Sequence, residues 1–376
     1  MNASMILKTT ALAAVLAGAG YYGYTRFAGG MGADLSAYAN VNVDFGAITP
    51  PASAADCGDT PSHGRIVCLA DQLKSTLAPE LLAEFQKPYT IADAKKWSNF
   101  PPAGYPDRVG PTLGDFTPEQ RGLIKAILLD AASLTSNEGF DELEQVLNAD
   151  DYLAENTSDG AGFASSNYHI ALLGTPAATG TWQLYFGGHH FAMTNTYKDG
   201  VLVGATPSFR GVEPFVPFTQ NGRENAPMLQ EQAAFAALFA ALTPEELALA
   251  KLSATYTNII AGPQQDDAIP TAPEGLRLVD ASAPVQALAL AAIETYVRDI
   301  NATGADAIMA RYASEIADTF IGYSGTATVD AENDYVRIDG PSVWIEFSLQ
   351  PGRSIEGIHP HSVWRDKTAD YGGNSE

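Results

Sequence analysis

The chain has 376 residues, 46% of them hydrophobic, 10% aromatic and 17% charged, enough apolar surface for a large buried core and too much for a disordered chain. Its 44 acidic and 21 basic residues leave a formal net charge of −23. A surface so charged repels phosphate backbones, which excludes nucleic acid as a partner.

The first predicted element is a targeting segment. Lys8 precedes the apolar stretch Thr9–Ala19, which carries small residues at Ala17 and Ala19 and is followed by Tyr21, Tyr22 and Tyr24. A basic start, a short apolar run and a small-x-small site make residues 1–26 a secretory signal. The alternative is a retained N-terminal anchor with an aromatic edge, although the run is short for a span of about 20 residues. Ala37-Tyr38-Ala39 is a second, more distant small-x-small site. Both readings place the working part of the chain outside the cytoplasm, periplasmic or secreted, with membrane contact only through this segment.

Residues 27–56, rich in Gly, Ala, Ser and Pro, read as a linker, and 57–376 as one domain. Cys57 and Cys68 are the two cysteines; in an exported chain an even count at short separation predicts a disulfide. Apolar spacing predicts helix over Ile66 to Phe85. Thr117-Pro118-Glu119-Gln120 and Thr243-Pro244-Glu245-Glu246 open two further helices as capping boxes with Pro in the first helical position. Helices are also expected over about 284–300 and 305–319.

Two blocks read as strands. The first comprises Asn167–Leu173, Trp182–Phe186, His190–Tyr197 and Val201–Thr206, with Asp199-Gly200 as a hairpin turn. The second comprises Tyr335–Ile338, Trp344–Leu349 and Ile358–Arg365, joined by Asp339-Gly340 and by 351–354. Gly174-Thr175-Pro176 and 206–211 read as turns at strand ends. Helices and antiparallel hairpins in separate runs define an α+β fold, its sheets flanked by helices.

Four of the six histidines fall into the pairs His189-His190 and His359-Pro360-His361. On a strand, alternation puts His359, His361 and Arg365 on one face, opposite the apolar face Val343, Ile345, Phe347 and Leu349 of the preceding strand. If 351–354 closes the hairpin symmetrically, Glu346 lies opposite His359, and Trp344, Tyr335 and Arg337 share the same pocket-lining face. His189 points with Phe191 and Met193 to the core and lines the pocket at most. His190 points with Ala192, Thr194 and Thr196 to the other side, where it can meet the second pair.

Three imidazoles with a nearby carboxylate suit Zn²⁺ or Cu²⁺. The sharp reading is a metal-dependent hydrolase, with His190, His359 and His361 as ligands, Glu346 as fourth ligand or general base, and Arg365 clamping an anionic substrate group. The alternatives are a non-catalytic module holding a metal or small ligand, and ordinary hydrogen-bonded histidines beside an Arg365–Asp366 surface ion pair. No Gly-x-Ser-x-Gly elbow, Walker A loop or dinucleotide fingerprint is present in a suitable context.

At the same residues the chain resembles the domain-of-unknown-function family 3500. The strings that carry the resemblance are Leu173-Gly174-Thr175-Pro176 with Trp182, Gly188-His189-His190, the run 206–214, His361-Ser362-Val363-Trp364-Arg365-Asp366, and Asp370-Tyr371-Gly372, with Trp97 and the helix at Thr117 also fitting. The resemblance spans about 90–373 and implies one family-wide domain of exported proteins, with no established reaction. Thr194 stands where the family pattern has Asn, and Pro360 where it often has an aromatic residue.

Overall fold

The computed structural model describes residues 41–158 and 162–373. The expected leader and its neighbouring small-x-small site therefore lie outside the described residues. No helix among the described residues is long and apolar enough to cross a membrane.

The helices follow the predicted caps. They are α1 (His63–Ser75), α2 (Pro79–Phe85), α3 (Ile91–Ala94), α4 (Pro118–Ala131), α5 (Gly139–Asn156), α6 (Leu229–Ala240), α7 (Pro244–Ala250), α8 (Ala283–Val297) and α9 (Ala302–Ser314). Thr117 and Thr243 each close a reciprocal capping box with the residue three positions on, which satisfies two orphan donors at each helix start. The helical region expected over 66–85 is divided into α1 and α2. Pro79 is the reason: it starts a helix well but cannot donate within one.

Among the described residues, eleven strands form one sheet. They are β1 (Gln86–Lys87), β2 (His169–Leu173), β3 (Thr181–Gly188), β4 (Phe191–Lys198), β5 (Val201–Gly204), β6 (Ser208–Gly211), β9 (Leu276–Arg277), β10 (Phe320–Ser324), β11 (Tyr335–Asp339), β12 (Val343–Pro351) and β13 (Ile358–Asp366). A separate hairpin pairs β7 (Phe218–Gln220) with β8 (Arg223–Asn225). The order is β1-β2-β3-β4-β6-β13-β12-β11-β10-β9, with β5 on β4; the β1–β2 pair is parallel and the other pairs are antiparallel. The fold is α+β.

Segment 206–211, read as a turn, contains β6, which joins the two halves of the sheet. The joint is narrow, only Phe191 with Arg210 and Ala192 with Phe209. One face of the sheet carries the helices over two apolar clusters. Val336, Ile338, Val343, Ile345, Phe347 and Leu349 point into one, and Ile170, Leu172, Leu184 and Phe186 into the other. A smaller cluster of Trp97, Tyr185, Ala192, Phe209, Val363 and Tyr371 lies on the opposite face.

Part of the expected linker is built into this core. Val41 N and Val43 N donate to the hydroxyls of Ser166 and Ser165, and Phe45 is fully buried. Cys57 and Cys68 form the expected disulfide, with their Cα atoms 5.7 Å apart, which is consistent with an oxidising compartment.

Candidate metal centre

The two histidine pairs meet at the joint of the sheet. His189 and His190 are not in a strand: they form the two-residue turn between β3 and β4, across which Gly188 pairs with Phe191. His190 has φ +61, in the left-handed region that a Cβ disfavours. Neighbours hold it there. His190 N donates to Asn99 O at 3.3 Å, Gly211 N donates to His190 O at 2.8 Å, and Tyr168 Oη donates to His189 O.

Gly211 also makes the room. A Cβ there would stand 2.9 Å from His190 Cδ2 and 3.0 Å from His361 Cδ2, so the two rings occupy the space that glycine vacates.

His359 and His361 come from β13, on the face that alternation predicted. The register with β12 is different from the symmetric closure: Gln350, not Glu346, stands opposite His359, and Glu346 stands opposite Val363. The connection runs on past 354, pairing Pro351 with Ile358, and displaces the register by an even number of residues. An even displacement preserves the face, so Tyr335, Arg337, Trp344, Glu346 and the histidines still share it.

The rings of His190, His359 and His361 lie 4.6–5.3 Å apart, with interplanar angles of 63°, 64° and 81°. The rings are thus steeply inclined to one another around a small shared space. Potential ligand atoms of all three lie within 4.8 Å of one another. His359 Nε2 is 2.7 Å from His190 Nε2, and His361 Nε2 is buried without a partner. Tetrahedral ligands at about 2.0–2.1 Å from an ion stand about 3.3 Å apart, so small ring rotations would admit one.

His361 Nδ1 is 3.2 Å from Asn258 Oδ1 and 2.5 Å from Gln350 Nε2. An amide NH₂ only donates, so Nδ1–H can donate to Asn258 Oδ1 and leave the Nε2 lone pair free only when Gln350 turns its amide oxygen toward the ring. Burial, followed by the neighbouring imidazoles, drives the His190 and His359 pKa values well below the usual range; burial likewise takes His361 to about 3. All three are neutral near pH 7 and able to coordinate.

A second group, Asp150, His189 and His190, lies equally close together. The His189 and His190 rings are stacked, with centroids 3.6 Å apart and 28° between planes. His189 Nδ1 is engaged by Asp150 Oδ1 at 2.6 Å. Asp150 was not foreseen from sequence. Its signal is the acidic pair Asp150-Asp151 on the buried side of α5.

The structure does not bring Glu346 or Arg365 into the histidine group. Glu346 is fully buried; its carboxylate accepts from Tyr335 Oη (2.6 Å), Ile260 N (2.7 Å), Ala261 N (2.8 Å) and Trp344 Nε1 (2.9 Å). Arg365 is equally occupied, donating to Asp370 Oδ2 at 2.7 Å, Ala261 O at 3.0 Å and Asp266 Oδ1 at 2.5 Å. It does not pair with Asp366, which accepts from Arg311 and Tyr312. Arg337 lies between the Tyr256 and Trp344 rings, 5.6 and 5.5 Å from their centroids. The polar face is thus covered by a strap over 256–266, which Glu346 and Arg365 pin at Ala261 and Asp266. Asn258 of that strap touches His361.

The fold and site together define an α+β protein with a buried histidine cluster able to hold a metal ion. The chain belongs to the family described as protein of unknown function (DUF3500), whose model matches residues 60–373. No curated protein and no solved structure matches it significantly.

Proposed function

We propose that the protein is an exported metalloprotein that binds one Zn²⁺ or Cu²⁺ ion through His190, His359 and His361 and uses the remaining coordination position for hydrolysis. The observation that carries this reading is the cluster of three mutually tilted, neutral imidazoles whose potential ligand atoms lie within 4.8 Å of one another, with His361 Nε2 buried without a partner. An all-imidazole set favours Zn²⁺ or Cu²⁺ over Mg²⁺ or Ca²⁺, which take oxygen ligands. Three protein ligands leave a position for water, whose pKa a bound Zn²⁺ can lower to about 7. Glu346 and Arg365 are given no chemical step, because their hydrogen bonds support an anchoring role under the strap. The disulfide and the acidic surface support action outside the cytoplasm.

One observation favours the second reading, a non-catalytic metal holder. The three ligand histidines are at most 6% exposed, which restricts approach of a large substrate. Cobalt-substituted protein separates the two. With the fourth position open, azide should perturb the visible cobalt spectrum in a saturable way. A fully loaded protein whose spectrum ignores azide would overturn the catalytic reading and leave the holder.

A further inference from the structure

Glu213 lies between β6 and the β12–β13 connection and is 2% exposed. Its two carboxylate oxygens face different tasks. Oε1 accepts from three successive backbone amides, Arg353 N (2.7 Å), Ser354 N (2.9 Å) and Ile355 N (2.8 Å). Three converging N–H groups fix this oxygen as an acceptor and shape the connection that sets the register of His359 and His361. Oε2 faces His359 Nδ1 at 4.0 Å, within ion-pair range but beyond a hydrogen bond. His359 Nδ1 is itself buried without a hydrogen-bond partner, while His359 Nε2 points to the cluster.

We infer that Glu213 is the positioning residue of the metal centre. Its Oε2 holds His359 in the Nδ1–H tautomer, so that Nε2 presents its lone pair to the ion. This rests on the metal reading above. A rotation that brought Nδ1 about 1 Å closer to Oε2 would give a carboxylate–histidine–metal chain, in which the carboxylate orients the ring and raises its basicity. In the metal-free protein the same tautomer makes His190 Nε2–H the donor to His359 Nε2.

Glu213→Gln separates this role from loop anchoring. The amide oxygen can still accept from the three loop N–H groups, which leaves the amide NH₂ facing Nδ1, where it opposes Nδ1–H. The full-length variant should fold with an unfolding midpoint close to wild type and bind Zn²⁺ at one equivalent but 10–100-fold more weakly. Equal Zn²⁺ affinity in variant and wild type would overturn the inference. A second readout needs neither variant nor ion. Two-bond ¹⁵N–¹H correlation on metal-free wild type should show His359 as Nδ1–H, and finding Nε2–H would also overturn it. Wild type that takes up no Zn²⁺ would instead refute the metal reading, and the tautomer would still decide the role of Glu213.

Discussion

Replacing Glu346 by alanine is expected to destabilise the protein by about 3–5 kcal/mol while leaving one metal-binding site per chain. The size follows from what the carboxylate holds. Two backbone amides of the strap, the Tyr335 hydroxyl and the Trp344 indole all donate to it, and Glu346, Tyr335 and Trp344 are fully buried. Each buried donor left without an acceptor costs roughly 1–3 kcal/mol, offset in part by water entering the gap. The predicted midpoint shift in urea is therefore large. Retention of stoichiometric Zn²⁺ binding by the folded variant would mark Glu346 as an anchor. Complete loss of binding by a variant shown to be folded would return it to the metal's own ligand set.

Replacing His190 by glycine is expected to separate stability from binding. The left-handed conformation at φ +61 costs a non-glycine residue on the order of 1–3 kcal/mol, which glycine avoids. Against this, the variant loses a fully buried ring and gains chain entropy in the unfolded state. These terms nearly cancel, so metal-free stability should change by no more than about 1 kcal/mol. Metal affinity should fall by at least about 100-fold, since even changes behind the ligands cost 10–100-fold. Denaturant titration of metal-free protein and competition with a chelator measure the two separately. A large stability loss with unchanged affinity would identify His190 as a packing residue.

Side-chain alternation made the face of the site legible, and loop geometry concealed its register. Val343, Ile345, Phe347 and Leu349 announce a core face, so His359 and His361 had to lie opposite. The partner of His359 depended on a connection held by Glu213, whose contacts lie about 140 residues away in sequence and leave no local signal. Gly211 was hidden for a related reason. Within a short Pro-containing segment β6 resembles a turn, and only pairing with the neighbouring strands makes it a strand. His189-His190 continued an apparent strand pattern because nothing in the two residues announces a left-handed turn. Glu346 and Arg365 drew attention as charged residues on a polar face. That the strap over 256–266 would saturate both could not be read from their own strands.

The most direct measurement is the metal content of protein purified from its native compartment, compared with a His359→Ala/His361→Ala double variant handled identically. A metal held by the three clustered imidazoles predicts close to one equivalent of zinc or copper in the wild type and a near-complete loss in the double variant. Metal well below one equivalent, unchanged by the double substitution, would contradict it and leave the histidines as buried packing groups.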